Sequence, residues 1–313
     1  MTISVLMSVY GTETGKNLDR ALRSVWDDQT LKPSQIVLVE DGPIPAELEE
    51  IVESYKFKVS RSKYHSSKFQ VTGSKFQVLA PLRSASEQSS NQSEGDGTFT
   101  IVKLQENVGL TKALNAGLKQ VKGELIARMD SDDISEPHRF ERQVKYLEEH
   151  PEVDIISGSL QEFDAENECL NVRHYPLTHE EAVKYIVKAS PFAHPAVMMR
   201  RRIFDEGLKY DERYRMSQDI KLWFDALLAG CRFGNNPEVV LYFRREGDVY
   251  RRRSRAKAWN EFQIYMHGIY QMKGFFTTAY RFPIARYLFR NLPPGIVKWI
   301  YGSSVRNRVL KTK

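Results

Sequence analysis

The stretch "LIARMDSDDISEP", residues 125–137, runs from an apolar segment with the pattern of a buried strand directly into three acids, Asp130, Asp132 and Asp133. Like charges packed this closely repel one another and destabilise a fold unless a positive charge lies between them. Carboxylates at the end of a strand, where the chain turns, suit a hard divalent cation that keeps open positions for phosphate oxygens. The alternative is that Asp133 or Ser135 caps a helix that follows and the other acids are solvated. One helix needs only one cap, so the three acids together favour a cation.

Upstream of these acids, strand and helix patterns alternate. The strand patterns are "ISVLMSVY" at residues 3–10, "QIVLVE" at 35–40, "TFTIVKL" at 98–104 and "GELIARM" at 123–129. The segments between them place apolar residues at helical spacing. This alternation predicts an α/β protein with a mostly parallel sheet and helices on both faces. Ligands bind such sheets at the carboxyl ends of the strands, where Asp41 and the three acids both lie.

The domain organisation follows from changes in composition along the chain. Residues 1–248 are predicted to form the α/β domain, with a further strand and two helices after the acids. Residues 58–97, rich in Ser, Lys and Gln, contain the near-duplicate "SKFQVTGSKFQV" and are interpreted as a surface insertion or partly disordered lobe. The alternation about Thr72 and Gly73 fits a small hairpin. Residues 249–313 are predicted to form a separate, basic and aromatic helical extension.

Composition limits the class of protein. At 313 residues and 41% hydrophobic content, the chain can bury a sizeable core. The two cysteines, Cys169 and Cys231, are far apart and form no CxxC pattern, so neither a disulfide framework nor a zinc site is expected. This cysteine usage predicts a protein of a reducing compartment. The sequence shows no secretion-signal pattern and no run of apolar residues long enough to span a membrane.

The basic residues are concentrated in the C-terminal extension. From Val249 onward there are fourteen Lys and Arg and one acid, Glu261, whereas residues 1–248 carry a net charge of about −7. Thirteen aromatic residues are interleaved with these basic ones. Such a segment is expected to bind anionic lipid headgroups. The alternatives are the phosphates of nucleic acid and a solvated basic face packed on the main domain.

Six motifs resemble, in order and spacing, those of the family 2 glycosyltransferases. They are "SVLMSVYG", "QIVLVEDGP", "ENVGLTKALNAGL", "GELIARMDSDDISEPHRF", "AHPAVMMRR" and "SQDIKLWFDALLAG". The resemblance covers roughly residues 2–245 and implies an inverting enzyme with the GT-A nucleotide-sugar-binding fold. The basic aromatic extension is similar to that of the exopolysaccharide and capsule subgroup.

The resemblance implies roles for four residues on the donor side. Asp41 would contact the donor's base, expected to be uracil, with Ser8 nearby. Asp130 would hydrogen-bond the ribose or assist the metal, and Asp132 would ligate the Mn²⁺ or Mg²⁺ that bridges the diphosphate. The metal would offset the negative charge that grows on the departing phosphate.

On the acceptor side, the resemblance matches Asp219 to the catalytic base and His194 to a histidine near the acceptor. A carboxylate that removes the proton of an acceptor hydroxyl on the face opposite the leaving group gives inversion. From the residues alone, Asp219 could equally be the N-cap of a helix over residues 220–228. A lone histidine before proline is more often a packed or turn residue.

Two positions depart from the family's pattern. Glu40 stands where the family usually has Asp, and Glu246, in "FRREG", stands where many relatives have a metal-binding histidine. Either Glu246 ligates the metal through oxygen, or the metal is held more weakly.

The resemblance implies a glycosyltransferase that moves a sugar from a nucleotide-diphosphate donor, expected to be a UDP-sugar, to a lipid-linked or oligosaccharide acceptor in cell-surface polysaccharide biosynthesis. A cytoplasmic protein, peripheral on the inner membrane face and without a nucleic-acid partner, is the expected setting. One alternative is a metal-dependent nucleotidyltransferase, for which "SVYGTETGK" is a poor phosphate loop. The other is a nucleic-acid-binding protein that acts through the basic extension.

Overall fold

The computed structural model describes residues 1–61, 69–72, 75–78, 97–164, 166–245 and 255–292. The chain divides into two compact units. The first comprises Met1–Ile186 and Ser190–Glu246, and the second comprises Val187–Ala189 and Gly247–Lys313.

The first unit alternates strands and helices. Its elements are β1 (Ile3–Val9), α1 (Gly15–Val25), β2 (Gln35–Glu40), α2 (Ala46–Ser60), β3 (Phe69–Thr72), β4 (Lys75–Val78), β5 (Thr98–Lys103), α3 (Leu110–Leu118), β6 (Leu125–Asp130), β7 (Ile134–Ser135), α4 (Arg139–Glu149), β8 (Ile155–Phe163), β9 (Cys169–Arg173), α5 (His179–Tyr185), a short helical turn (His194–Ala196), β10 (Met198–Arg200), α6 (Arg202–Asp205), α7 (Gln218–Leu228) and β11 (Phe233–Arg244).

The main sheet has the strand order β5-β2-β1-β6-β10-β8-β11-β7, with β9 paired to β8. Strands β5, β2, β1 and β6 are parallel, which confirms the alternation predicted for the first half of the chain. The second half is mixed, because β10 runs antiparallel to both β6 and β8. Every residue of β2 is buried, as expected for a strand covered on both faces.

Helices pack closely on the sheet because small and apolar residues face it. Apolar residues of α1, among them Leu18, Leu22 and Val25, are fully buried in the core. On α3, a Cβ added to Gly117 would lie 2.4 Å from Leu6 Cδ1, so only glycine permits this approach. The parallel half is therefore a rigid support for the loops at its carboxyl edge.

The strand register brings the ends of three strands to one edge. Ser8, near the end of β1, pairs with Asp130, the last residue of β6, and Val9 pairs with Glu40, the last residue of β2. Asp41 follows immediately. The acids singled out in the sequence therefore lie along one edge of the sheet, as predicted.

Two further features bear on the sequence predictions. Helix α4 begins at Arg139 and its cap residue is His138, so the alternative in which Asp133 or Ser135 caps this helix is wrong. Strands β3 and β4 pair antiparallel, as the predicted hairpin requires. Most other residues of the predicted 58–97 insertion lie outside the described part of the chain.

The second unit contains α8 (Arg255–Lys273), a short helical turn (Thr278–Tyr280) and α9 (Arg281–Arg290), and these helices lie within the predicted extension of residues 249–313. Its one acid among residues 255–292, Glu261, is buried and pairs with Arg286 at 2.6 Å and with Arg290. Among the residues described, no helix combines the length and the apolar character needed to cross a bilayer.

Candidate functional site

The acids Asp130, Asp132 and Asp133, hereafter the acidic cluster, converge just beyond β6. Each can offer one carboxylate oxygen such that the three oxygens lie within 4.8 Å of one another. The three differ in exposure: Asp133 is fully buried, while Asp130 and Asp132 are partly exposed. The exposed side of the cluster can therefore meet a ligand.

Asp133 is held by the far end of β11. Its Oδ1 accepts a hydrogen bond from the backbone N–H of Arg244 at 2.8 Å, and Arg244 Nε donates to the carbonyl of Asp132 at 2.9 Å. Its Oδ2 is buried without a hydrogen-bond partner among the described residues. Burial, and secondly the charges of Asp130 and Asp132, raise the pKa of Asp133 well above its usual value. A buried carboxylate oxygen without a partner is costly unless a proton or a cation satisfies it.

Asp130 is paired with Arg128, two positions earlier on β6. Residues two apart on a strand point to the same face. Arg128 is almost fully buried, and its guanidinium donates Nη1 to Oδ2 of Asp130 at 2.7 Å and Nη2 to Oδ1. This bidentate pair fixes the orientation of Asp130 and places a permanent positive charge beside the cluster.

Asp132 completes the cluster. Burial, followed by repulsion from Asp130 and Glu13, raises its pKa to about 6. Glu13 is itself fixed, because its carboxylate accepts hydrogen bonds from Ser131 Oγ at 2.8 Å and from Thr14 N at 2.9 Å. A raised pKa marks a carboxylate that burial and neighbouring negative charges disfavour in its ionised form.

These residues fit a hard divalent cation. The cluster supplies three convergent carboxylates, one of them with a buried oxygen that has no described partner. Oxygen ligands of this kind are those that Mg²⁺ and Mn²⁺ prefer. Asp132 and Asp133 would hold the ion, with Asp130 beside it already oriented by Arg128.

Asp41 is buried and organises the loop before α3. Its Oδ1 accepts from the backbone N–H of Val108 at 2.7 Å, and its Oδ2 from that of Gly109 at 3.0 Å. Gly109 has φ +87°, a left-handed conformation that favours glycine. Asp41 therefore shapes the loop beside the sheet edge, and its predicted contact with a base stays a prediction. Ser8 is partly exposed at the same edge, opposite Asp130.

Asp219 lies in the first turn of α7, partly exposed. The cap residue of this helix is Ser217, which has φ +62°, so the alternative in which Asp219 is the N-cap is wrong. The charge of Asp219 adds to burial in raising the pKa of two tyrosines, the partly buried Tyr175 and the fully buried Tyr210, which places these rings in its neighbourhood. Its catalytic role stays a prediction.

His194 is buried among aromatic rings. Its Nε2 lies 2.8 Å from the hydroxyl of Tyr210, and its ring meets that of Trp223 edge-on at 5.9 Å between centroids. Burial, and secondly the charge of Arg128, lower the pKa of His194 well below its usual value, so the imidazole is neutral near pH 7. His194 is thus packed, and its predicted acceptor-side role remains untested.

Glu246, the other predicted metal ligand, lies outside the described residues. The sequence motifs do not predict the roles of Arg128 and Arg244. The spacing of Arg128 and Asp130 on one strand was a usable signal for the first. No sequence signal locates Arg244, because its contact with Asp133 depends on the pairing of β7 with β11 across the sheet.

Comparison of sequences gives one family match and several relatives. Residues 81–208 match the family described as "Glycosyl transferase family 2". The chain is 32% identical over 313 residues to an uncharacterized glycosyltransferase of Haemophilus influenzae, covering 98% of this chain and 100% of that protein. It is 29% identical to the amylovoran biosynthesis glycosyltransferase AmsE of Erwinia amylovora, covering 95% and 97%. It is 26% identical to the UDP-Gal:alpha-D-GlcNAc-diphosphoundecaprenol beta-1,3-galactosyltransferase of Escherichia coli, covering 97% and 96%.

Two solved structures are similar in fold. S. aureus TarS 1–349 in complex with UDP-GlcNAc superposes with a TM-score of 0.59 at 18% identity, covering 100% of this chain and 76% of that one. The mannosyltransferase PcManGT from Pyrobaculum calidifontis, in complex with GDP-Man and Mn²⁺, gives 0.54 at 14% identity, covering 97% and 79%. These similarities show that the first unit has the GT-A fold.

Proposed function

The chain belongs to the family 2 glycosyltransferases, and from this premise we propose that it transfers a sugar from a UDP-sugar to a lipid-linked oligosaccharide with inversion, in cell-surface polysaccharide biosynthesis. The observation that carries the proposal is the acidic cluster at the carboxyl edge of the sheet, where three carboxylates converge beside Ser8 and the loop shaped by Asp41. A metal-dependent nucleotidyltransferase is not favoured, because the relatives named above are glycosyltransferases.

The donor is proposed from the acids and from the relatives. Asp132 and Asp133 would hold Mn²⁺ or Mg²⁺, which, when bound, stabilises negative charge on the diphosphate that leaves. Asp130 is oriented by Arg128 to accept a hydrogen bond from the ribose or to assist the ion. Asp41 and the loop of Val108 and Gly109 would position the base. A UDP-sugar is supported by the UDP-Gal donor in the name of the E. coli relative.

The acceptor step is proposed for Asp219. Its carboxylate would accept the proton of the acceptor hydroxyl while that oxygen bonds the anomeric carbon. The bond from that carbon to the UDP oxygen breaks on the opposite face, and UDP leaves with the electron pair. One displacement inverts the anomeric carbon, and only one base is needed.

The acceptor and the location of the protein are part of the same proposal. The name of the E. coli relative gives a diphosphoundecaprenol-linked acceptor, which supports a lipid-linked acceptor for this chain. A lipid-linked acceptor is confined to a membrane surface. The basic extension would meet anionic lipid there, at the cytoplasmic face, and not nucleic acid.

The test is a panel of nucleotide sugars with the full-length protein, with and without Mn²⁺. We expect hydrolysis of a UDP-sugar in the absence of acceptor, and an increase in the melting temperature with Mn²⁺. Asp132→Ala should lose both effects, and Glu148→Ala, at an exposed acid of α4, should keep both. Equal hydrolysis and equal Mn²⁺ response in wild type and Asp132→Ala would show that the cluster is not the donor site.

A further inference from the structure

We propose that the connection between α8 and α9 is a membrane-inserting tip, and that Phe275 and Phe276 enter the interface of a bilayer that contains anionic lipid. The inference rests on the proposed function only for the reason why the protein would bind a membrane, since an enzyme with a lipid-linked acceptor must work at a membrane surface. Its physical basis lies within the second unit alone.

The first observation is the exposure of three neighbouring aromatic rings, Tyr270, Phe275 and Phe276, hereafter the aromatic tip. Phe276 is 98% exposed, Phe275 74% and Tyr270 54%. The rings contact one another edge-on, with centroids 6.5 Å apart between Tyr270 and Phe275 and 5.8 Å apart between Phe275 and Phe276. Large apolar side chains clustered in water are unfavourable and mark a surface that binds something apolar.

The second observation is that the connection has a defined conformation that holds these rings outward. Gly274, with φ +70°, ends α8, and its N–H donates to the carbonyl of Tyr270 at 2.8 Å. The hydroxyl of Tyr280 donates to the carbonyl of Gly274 at 3.0 Å, and Thr277 Oγ1 accepts from Ala279 N at 3.2 Å. The two phenylalanines are thus presented by a hydrogen-bonded turn.

The third observation is the charge around the tip. Lys273 precedes Phe275 and Arg281 follows Phe276 along the chain, and both are exposed. Residues 255–292 contain six Lys and Arg and one acid, and that acid, Glu261, is buried and paired with Arg286 and Arg290. The described part of this unit therefore exposes no carboxylate side chain that would repel anionic headgroups.

Together these features select a lipid surface as the partner. Aromatic side chains settle at the membrane interface, and Lys and Arg beside them are attracted to anionic lipid. Because none of the described helices is suited to span a bilayer, the contact would be peripheral. Further exposed apolar residues of this unit, Trp259, Ile284 and Leu288, are consistent with an apolar partner.

The first test is co-sedimentation of the full-length protein with vesicles of phosphatidylcholine alone or mixed with phosphatidylglycerol. The variant Phe275→Ala/Phe276→Ala removes the tip, and Phe57→Ala, at a 59%-exposed phenylalanine of α2, is the matched control. We expect the tip variant to lose roughly tenfold or more in partition to the mixed vesicles, since it lacks the two phenyl rings that would enter the bilayer interface. The control should bind like wild type. Wild type should bind the neutral vesicles more weakly.

The second test places a reporter at the same positions. In vesicles with brominated acyl chains, the tryptophan of Phe276→Trp should be quenched above the wild-type level, and that of Phe57→Trp should not. Equal quenching of the two variants, or equal vesicle binding by wild type and the tip variant, would overturn the proposal. So would a wild-type dimer that the tip variant converts to a monomer, because the tip would then bind a second copy.

Neither test uses a donor sugar, so the two proposals fail separately. A tip variant that still hydrolyses a UDP-sugar while losing vesicle binding supports the tip. If the wild-type protein hydrolyses the donor but binds neither kind of vesicle, the proposal of a membrane-inserting tip is wrong and the glycosyltransferase proposal is unaffected.

Discussion

Arg128 and Asp130 form a bidentate ion pair on one face of β6, with Nη1 of Arg128 2.7 Å from Oδ2 of Asp130 and Nη2 bonded to Oδ1. The Arg128 side chain is buried, whereas the Asp130 side chain is 31% exposed. The pair supplies one fixed positive charge to three acids, and the pKa of Asp132 and that of Asp133 are still raised. The pair therefore fixes Asp130 but leaves the mutual repulsion of the three acids, which a bound cation would relieve.

A double-mutant cycle should measure the coupling energy between Arg128 and Asp130. We expect Arg128→Met to lower the free energy of unfolding by about 2–4 kcal/mol, because it leaves Asp130 without its buried partner. The double variant with Asp130→Asn should lose less than the sum of the single losses. Urea unfolding at pH 7 measures each variant. Lys56→Met, which breaks an exposed pair with Glu53, should cost less than about 1 kcal/mol. Additive losses in the cycle would refute the coupling.

The parallel half of the fold could be predicted because each of its strands is an apolar run that ends at a polar turn. β11 could not, because Asn235, Asn236 and Pro237 in its middle resemble a turn, and the register indeed shifts there. β10 is only three residues long, too short for a periodic pattern.

The acidic cluster could be predicted from local composition, and its surroundings could not. The sequence predicts Asp133 as one of three acids around a cation or as a helix cap, and it does not predict the hydrogen bond to Arg244, which joins residues 111 positions apart in the chain. The packing of His194 against Tyr210 and Trp223 likewise depends on contacts across the fold.

Asp28 should make stability depend on pH. Burial raises the pKa of this carboxyl to about 7, and its nearest cation, Arg23, has Nε 3.5 Å away. A raised pKa means that the folded state favours the protonated acid. The stability it contributes is complete below the unfolded pKa near 4 and is lost as the pH rises through about 7.

Asp28→Asn should therefore be more stable than wild type by about 1–3 kcal/mol at pH 8, with the difference vanishing toward pH 4. Chemical denaturation across this range measures it. Glu50→Gln, at an exposed acid of α2, should show no such trend. A difference independent of pH would mean that Asp28 does not titrate as described.

Replacing Asp41 should lower both the stability of the fold and the affinity for the donor. Asn at this position keeps one acceptor but turns an amide N–H₂ toward the N–H of Val108 or Gly109, so we expect a loss of about 1–3 kcal/mol in unfolding free energy. Because the loop loses its shape, the KM for the UDP-sugar should rise as well. Glu106→Gln, exposed on the same loop, should change neither quantity. An increase in KM at unchanged stability would favour direct contact with the base over the loop-shaping role.

Replacing Asp219 should lower the rate of sugar transfer without weakening donor binding. If its carboxylate takes the acceptor proton, Asp219→Asn should lower kcat for transfer by about 10²–10⁴-fold, the usual contribution of a general base, with little change in the KM for the donor. Steady-state transfer to a lipid-linked acceptor measures both constants, and the anomeric proton coupling of the product reports inversion. Asp205→Asn, at an exposed acid of α6, should behave like wild type. A kcat unchanged in Asp219→Asn would exclude this residue as the base, because no uncharged amide can accept the proton that the attack releases.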